Sequence, residues 1–325
     1  MDGKPLVIWC NARLRPEAID KLRGGLAGHR LILSEKIVNN LQPGIPDPSL
    51  AEADVAFGQP DAKQVIELAG LRWIQLSSAG YARYDRADLR AALQARGAML
   101  ANASSVFTEP CAQHALAFIL AAARQIPAAI IEQQHSQAWS ASSIRHQSRL
   151  LNGQTILIVG FGAIGRRLAE LLAPFGVNLL AVRRQPAAGQ PAYVYATSEL
   201  DGLLPQADHV VNILPSSEAT QHFFGAERLD RAKHGAVFHN IGRGTTVDQT
   251  ALRKCLEGGR LGAAYLDVTD PEPLPKGDPL WTAPNCFITP HTAGGSIDEF
   301  DRAVQHFLDN LSRFQTGQEL RDRVV

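Results

Sequence analysis

Residues 155–176 read TILIVGFGAIGRRLAELLAPFG, and no other segment constrains the chain as strongly. Ile156 to Val159 make an apolar strand candidate. Three glycines follow at GxGxxG spacing, and then a run with Ile164, Leu168, Leu171, Leu172 and Phe175 at helical intervals. Strand, tight turn and helix in that order open a βαβ unit. Gly160 permits the sharp turn out of the strand, Gly162 removes a Cβ where backbone must approach a ligand, and Gly165 lets the helix sit close to the strand. The helix N-terminus then presents free N–H groups and the positive end of its dipole to an anion. The expected anion is the pyrophosphate of a dinucleotide, held by Gly160, Gly162, Ala163, Ile164 and Gly165.

The rest of the chain alternates in the same way. Leu6–Trp9, Leu31–Leu33, Val55–Phe57, Trp73–Leu76 and Ala98–Ala101 are strand candidates, with helical stretches such as Pro16 to Leu26 and Ala62 to Ala69 between them. A second series contains Ile156–Val159, Leu179–Val182, Val210–Ile213, Ala236–His239, Ala264–Asp267 and Cys286–Thr289. Strands alternating with helices imply parallel sheets covered on both faces. Phe300, Val304, Phe307, Leu308, Leu311 and Phe314 share one face of a last helix, which is expected to return to the first series. The predicted fold is α/β: two doubly wound parallel-sheet (Rossmann-like) domains facing a cleft, the first discontinuous in sequence. The domains are residues 1–103 with 293–325, and residues 104–292. A helix from Glu109 to Arg124, with Pro110 in its first turn, is apolar nearly all round and suits a buried place or a subunit contact. Residues 133–149, polar and carrying Trp139, read as a loop excursion. Together these two segments predict a homodimer.

Charge and cysteine usage narrow the function classes. Thirty-two basic residues balance 32 acidic ones, so no net field favours nucleic acid or an anionic membrane. Cys10, Cys111, Cys255 and Cys286 stand far apart without a CxxC pair, which argues for free thiols and against a disulfide framework or metal site. The opening MDGKPLVIWCNARLRPEAID has only a five-residue apolar run before charges, unlike a signal peptide. Ala115 to Ala123 is too short an apolar stretch to cross a bilayer. A cytoplasmic protein is expected.

The strand after the glycine turn normally ends in an acidic residue that binds the adenosine ribose, about 20 residues on. Here the position is Arg183, followed by Arg184. Aspartate would repel a 2′-phosphate, whereas arginine binds it with charge-assisted hydrogen bonds. NADP(H) is therefore favoured, with NAD(H) as the alternative. Two solvated surface arginines, or an Arg184 stacked on adenine, are the competing readings.

Three further segments lie at carboxyl ends of predicted strands, where open α/β sheets bind ligands. HNIGRGTTVD carries Arg243, LDVTDPEPLP carries Glu272, and TPHTAGGS carries His291. Their chemistry is complementary. Reducing a 2-oxo acid needs a cation to hold the carboxylate and polarise the carbonyl, which suits arginine's planar fork. It also needs a proton donor, which suits histidine. A neighbouring carboxylate favours the imidazolium and fixes its orientation.

At these residues the chain resembles the D-isomer-specific 2-hydroxyacid dehydrogenases. The likeness also runs through SSAGYARYD, TEPCAQHALAFILAAAR, LNGQTILIVGFGAIG, GAAYLDVTDPEPLP and DPLWTAPNCFITPHTAGG. It implies an enzyme interconverting small 2-oxo acids and D-2-hydroxy acids with a nicotinamide dinucleotide. It implies that the first domain, of flavodoxin-like form, binds substrate and the second binds cofactor. It also implies roles: Arg243 on substrate carboxylate and carbonyl, His291 as acid/base paired with Glu272, and N–H groups near Ser78, Ala79 and Gly80 around the carboxylate. Asp267 would meet the nicotinamide carboxamide. Thr108 and the Asn240–Ile241 backbone would lie along the nicotinamide, and Pro215 and Ser216 would border the adenosine. Gln113 departs from the family's acidic residue, as Arg183 does. Formate dehydrogenases carry Gln where Glu272 stands, so the glutamate favours a hydroxy acid. A dinucleotide-sensing regulator on the same scaffold, or a dehydrogenase of another small substrate such as phosphite or an amino acid, are the alternatives.

Overall fold

The computed structural model describes residues 4–186 and 189–325. The first three residues of the opening segment, and Ala187 and Ala188 beyond the arginine pair, lie outside the described residues. The chain divides into two compact units, Met1–Phe107 with Ser296–Val325, and Thr108–Gly295.

In the first unit the strands are β1 (Val7–Ala12), β2 (Arg30–Val38), β3 (Val55–Gly58), β4 (Trp73–Leu76) and β5 (Met99–Ala101). Helices α1 (Pro16–Gly25), α2 (Ala62–Glu67) and α3 (Ala87–Ala95) lie between them in sequence. All pairings are parallel, in the order β2-β1-β3-β4-β5. The inner strands β3 and β4 are buried along their whole length, which is why they read as continuous apolar runs. β2 extends five residues beyond the predicted Leu33. It is an edge strand, so the exposed Glu35 and Lys36 continue it without an apolar signature.

Helix α4 (Ser104–Ala123) carries the chain into the second unit. It begins five residues before the predicted Glu109, leaving Pro110 inside it. The Asn102 side chain accepts the Ser104 N–H at 3.1 Å, and Asp322, from the far end of the chain, accepts the Ser105 N–H at 2.7 Å. These acceptors satisfy orphan donors of the first turn, a help invisible locally. By length and composition this 20-residue helix, of mean hydropathy 1.3, meets the minimum for a membrane span, which the shorter stretch did not suggest. Part of it packs within the second unit, with the Phe118 and Tyr265 ring centroids 5.3 Å apart.

Next come α5 (Ile126–His135) and α6 (Ala141–Gln147), where a loop was predicted over residues 133–149. Neither helix buries a residue, so neither leaves an apolar face to read. The second sheet then builds from β6 (Thr155–Val159), α7 (Ala163–Leu172), β7 (Asn178–Arg183), β8 (Val194–Ala196), α8 (Leu200–Leu203), β9 (His209–Asn212), α9 (Ala226–Asp230), β10 (Ala236–Asn240), α10 (Gln249–Glu257), β11 (Leu261–Leu266) and β12 (Cys286–Ile288). Its order is β12-β11-β10-β9-β6-β7-β8, all parallel. The order reverses between β6 and β9, creating the switch point at which such sheets bind ligands. The short edge strand β8 was not predicted.

Helix α11 (Glu299–Gln315) closes the first unit, as its apolar face predicts. Phe307 stacks between Phe57 at 4.5 Å and Trp73 at 5.2 Å, and Phe314 stacks on Trp73 at 5.5 Å.

The second unit also buries two neighbouring histidines. His209 Nδ1 is 3.0 Å from His239 Nε2, and His209 Nε2 is 2.9 Å from Gln154 Oε1. The consistent assignment has His209 Nε2 donating to Gln154 and His239 Nε2 donating to His209, which leaves His239 Nδ1 an acceptor without a partner among the described residues. Burial pushes His209 down to about 4, opposed by Asp208 and aided by Arg149; burial and then His209 push His239 well down. Both rings are thus neutral when folded but take protons near pH 6.5 when unfolded. Their contribution is complete above about pH 6.5 and is lost as pH falls below it; for His209, whose folded value is about 4, the loss reaches about 2 kcal/mol by pH 5. Thermal unfolding followed from pH 7 to pH 5 should show a falling midpoint, and a His209→Leu/His239→Leu variant a flatter slope. An unchanged slope in that variant contradicts this account.

Candidate active site

The glycine turn stands at the switch point. Gly160 has φ +105, and a Cβ there would come within 2.9 Å of the Ile213 carbonyl, so only glycine fits. A Cβ on Gly165 would come within 2.7 Å of the Gly160 carbonyl oxygen, which is the close helix–strand approach. Gly162 differs: nothing lies within 4 Å of the Cβ it lacks. It is the N-cap of α7, and no side chain caps that helix. The first N–H groups of Ala163 and Ile164 have no acceptor among the described residues, which fits a pyrophosphate at this turn. Arg183 closes β7 half-buried and Arg184 follows it exposed. Among the described residues neither pairs with a carboxylate.

Three loops follow the neighbouring strands β10, β11 and β12. In the first, Arg243 is fixed through its backbone: its carbonyl accepts from Asn240 Nδ2 at 3.1 Å and Thr246 Oγ1 at 2.6 Å. Asn212, at the end of β9, ties both holders together, with Nδ2 3.0 Å from Asn240 Oδ1 and 2.7 Å from Thr246 Oγ1. These buried amides were missed in the sequence, although an Asn ending an otherwise apolar strand in VVN and again in FHN is a readable signal. The Arg243 guanidinium, half-buried, donates from Nη1 to the Gly242 carbonyl at 2.6 Å. Gly244 lies against the second loop, since a Cβ there would meet the Thr269 carbonyl carbon at 2.0 Å. Gln249 holds that loop by accepting the Asp270 N–H at 2.9 Å. The Ile241 N–H donates to the Asn212 carbonyl at 3.1 Å, and the Pro215 carbonyl accepts from Thr220 Oγ1 at 2.7 Å. Ser216 Oγ lies 3.0 Å from Thr245 Oγ1. Thr108 lies in α4, half-buried.

The second and third loops meet at one contact: His291 Nδ1 is hydrogen-bonded to Glu272 Oε1. The imidazole side chain is 23% exposed and the glutamate 31%, so both are sheltered yet reachable. His291 has φ +52, a conformation uncommon for residues other than glycine, and its N–H donates to the Asp267 carbonyl at 2.8 Å.

Asp267 directly follows β11. Its side chain is 1% exposed and accepts from Thr289 Oγ1 at 2.6 Å, Thr292 N at 2.8 Å and Ala293 N at 3.0 Å. The carboxylate thus takes its donors from the loop that carries His291. The small residues Thr292 and Ala293 let the loop fold back over it.

In the first unit, Ser78, Ala79 and Gly80 follow β4. Asn102 Nδ2 donates to the Ala79 carbonyl at 2.8 Å, and Ser78 Oγ to the Gly80 carbonyl at 2.7 Å. Gln59 Nε2 holds Ser78 Oγ at 2.9 Å. The carbonyls are thus occupied, whereas the Ala79 and Gly80 N–H groups have no partner among the described residues.

Comparison with known proteins gives this arrangement a lineage. The family model for "D-isomer specific 2-hydroxyacid dehydrogenase, NAD binding domain" matches residues 116–293, more than half of the chain. Glyoxylate/hydroxypyruvate reductase B of Escherichia fergusonii is 33% identical over 288 residues, covering 84% of this chain and 86% of that one. Glyoxylate reductase of Korarchaeum cryptofilum is 34% identical over 245 residues, covering 72% and 71%. A solved D-isomer specific 2-hydroxyacid dehydrogenase from Xanthobacter autotrophicus Py2, in complex with NADPH and MES, has a TM-score of 0.82 at 25% identity, covering 99% of this chain and 98% of that one. The chain binds a nicotinamide dinucleotide and belongs to the D-isomer-specific 2-hydroxyacid dehydrogenases, oxidoreductases acting on CH–OH.

Proposed function

We propose that this enzyme is an NADPH-preferring reductase of small 2-oxo acids of the glyoxylate and hydroxypyruvate type, reversible as a D-2-hydroxyacid dehydrogenase. The observation that carries the reading is the His291–Glu272 contact at the carboxyl ends of β11 and β12, in the sheet that also bears the glycine turn and Arg243. The two reductase relatives support the substrate class.

The bound dinucleotide supplies the reducing equivalent. The residues of this chain do the rest. Arg243 holds the substrate carboxylate and draws charge from the carbonyl, a task for which its planar fork is suited. His291, oriented through Nδ1 by Glu272, offers Nε2 to the carbonyl oxygen and gives it a proton as the alkoxide develops. In the oxidative direction the same nitrogen accepts the hydroxyl proton. The free N–H groups at Ala79 and Gly80, with Ser78 beside them, suit a carboxylate. Gly160, Gly162, Ala163, Ile164 and Gly165 hold the pyrophosphate, while Thr108, Pro215 and Ile241 border the dinucleotide. Arg183 and Arg184 meet the 2′-phosphate, a reading supported by the NADPH complex of the Xanthobacter autotrophicus relative.

The same reading makes the enzyme a homodimer in the reducing cytoplasm, with four free thiols. Ile126, Ile130 and Ile131 on α5 are each nearly half exposed, and Trp139 is 94% exposed. Large apolar side chains grouped this way mark an interaction surface. Light scattering at micromolar concentration should give twice the chain mass of 35.2 kDa; the mass of a single chain removes the dimer.

Absorbance at 340 nm with glyoxylate, hydroxypyruvate, pyruvate and phenylpyruvate, each with NADPH and NADH, tests the function. Turnover of at least one small 2-oxo acid, faster with NADPH, is expected. Tight NADPH binding without turnover of any of them favours the dinucleotide-sensing regulator.

A further inference from the structure

The loop that carries His291 is tied to helix α4 by a chain of hydrogen bonds that the reaction chemistry does not itself require. His114, on α4, places Nε2 3.2 Å from Thr289 Oγ1. Thr289 Oγ1 donates to Asp267 Oδ1 at 2.6 Å. Asp267 in turn accepts the N–H groups of Thr292 and Ala293 at 2.8 and 3.0 Å, and its carbonyl accepts the His291 N–H at 2.8 Å. A threonine hydroxyl has one proton, and here it is committed to Asp267. The His114 contact must therefore run from Nε2–H to the threonine oxygen. Every link has a direction, from helix to threonine to carboxylate.

We propose that His114 and Thr289 are positioning residues that hold the His291 loop in its productive shape through Asp267. The inference rests on the reading of His291 as proton donor. Two observations carry it. The Asp267 side chain is 1% exposed, so it has no solvent to replace a lost donor. The His291 backbone is left-handed at φ +52, a conformation that persists only where the surroundings over-determine it. Removing the Thr289 hydroxyl leaves a buried anion short of a donor directly beneath that residue, and the loop is the part free to shift. Burial lowers the proton affinity of His114, opposed by Asp267 at 3.7 Å. The neutral ring still carries the Nε2 proton, so the chain remains intact without an imidazolium.

Thr289→Val keeps the shape and removes the hydroxyl; Thr289→Ser restores it. His114→Gln keeps a donor near the Nε2 position, and His114→Leu removes it. The full-length enzyme with NADPH and glyoxylate should lose roughly tenfold or more in kcat in Thr289→Val, since small misplacements of a reacting group cost that much. The KM for NADPH should hold, and the solvent isotope effect on kcat should rise as proton transfer becomes limiting. Thr289→Ser and His114→Gln should recover most of the rate, and His114→Leu should not. Amide exchange at Thr292 and Ala293, read without substrate, should quicken in Thr289→Val and recover in Thr289→Ser. Wild-type kcat and exchange in Thr289→Val overturn the proposal, as does a fall in kcat with an unchanged isotope effect and no rescue by serine. A wild-type enzyme inactive on every 2-oxo acid overturns the functional reading instead, and the exchange measurement still decides whether Thr289 holds the loop.

Discussion

His291→Asn should lower kcat/KM for 2-oxo acid reduction by ~10²–10⁴-fold, the usual range for loss of a positioned general acid. Asparagine is chosen because position 291 has φ +52, which Asn tolerates better than most residues. The loop then keeps its backbone, and the loss reports on proton chemistry. NADPH affinity, read by protein fluorescence quenching, should be unchanged, because the glycine turn lies on β6 and α7 while His291 follows β12. In the wild-type enzyme reduction needs the protonated ring and oxidation the neutral one, so the two directions should show opposite pH trends. Unimpaired turnover in the variant removes His291 from the reaction.

Arg183→Asp should reverse the cofactor preference. Hydrogen bonds to a charged group contribute about 1.5–3 kcal/mol, and an aspartate facing a 2′-phosphate adds repulsion. The ratio of kcat/KM for NADPH to that for NADH should therefore fall ~100-fold or more, at about 1.4 kcal/mol per tenfold. The same carboxylate accepts hydrogen bonds from an unphosphorylated ribose, so NADH should improve in absolute terms. The substitution sits at the end of β7, half-buried and unpaired among the described residues, so folding should be little affected. An unchanged ratio returns Arg183 to the role of a solvated surface charge.

What the sequence disclosed depended on how local each cause was. The glycine turn is built within six consecutive residues, and its strand, turn and helix follow directly from their order. The inner strands β3, β4 and β6 are buried almost throughout, so their apolar runs read clearly. Arg243, Glu272 and His291 each follow a strand, and neighbouring strands bring the last two into contact. The failures have nonlocal causes. Helix α4 starts early because Asp322 accepts at its first turn. Helices α5 and α6 bury nothing and so show no periodicity. β8 is short and lies at a sheet edge. The donors around the Asp267 carboxylate were hidden for a related reason: Thr289, Thr292 and Ala293 lie more than twenty residues away, and only the folded loop brings them over it.

The central claim is that this chain reduces the carbonyl of a small 2-oxo acid with a nicotinamide dinucleotide and gives the D product. Incubation with hydroxypyruvate and NADPH carrying deuterium at both C4 positions of the nicotinamide, followed by chiral separation and mass analysis of the glycerate, tests it most directly. The account predicts D-glycerate carrying deuterium at C2. L-glycerate, or D-glycerate without the label, would contradict it.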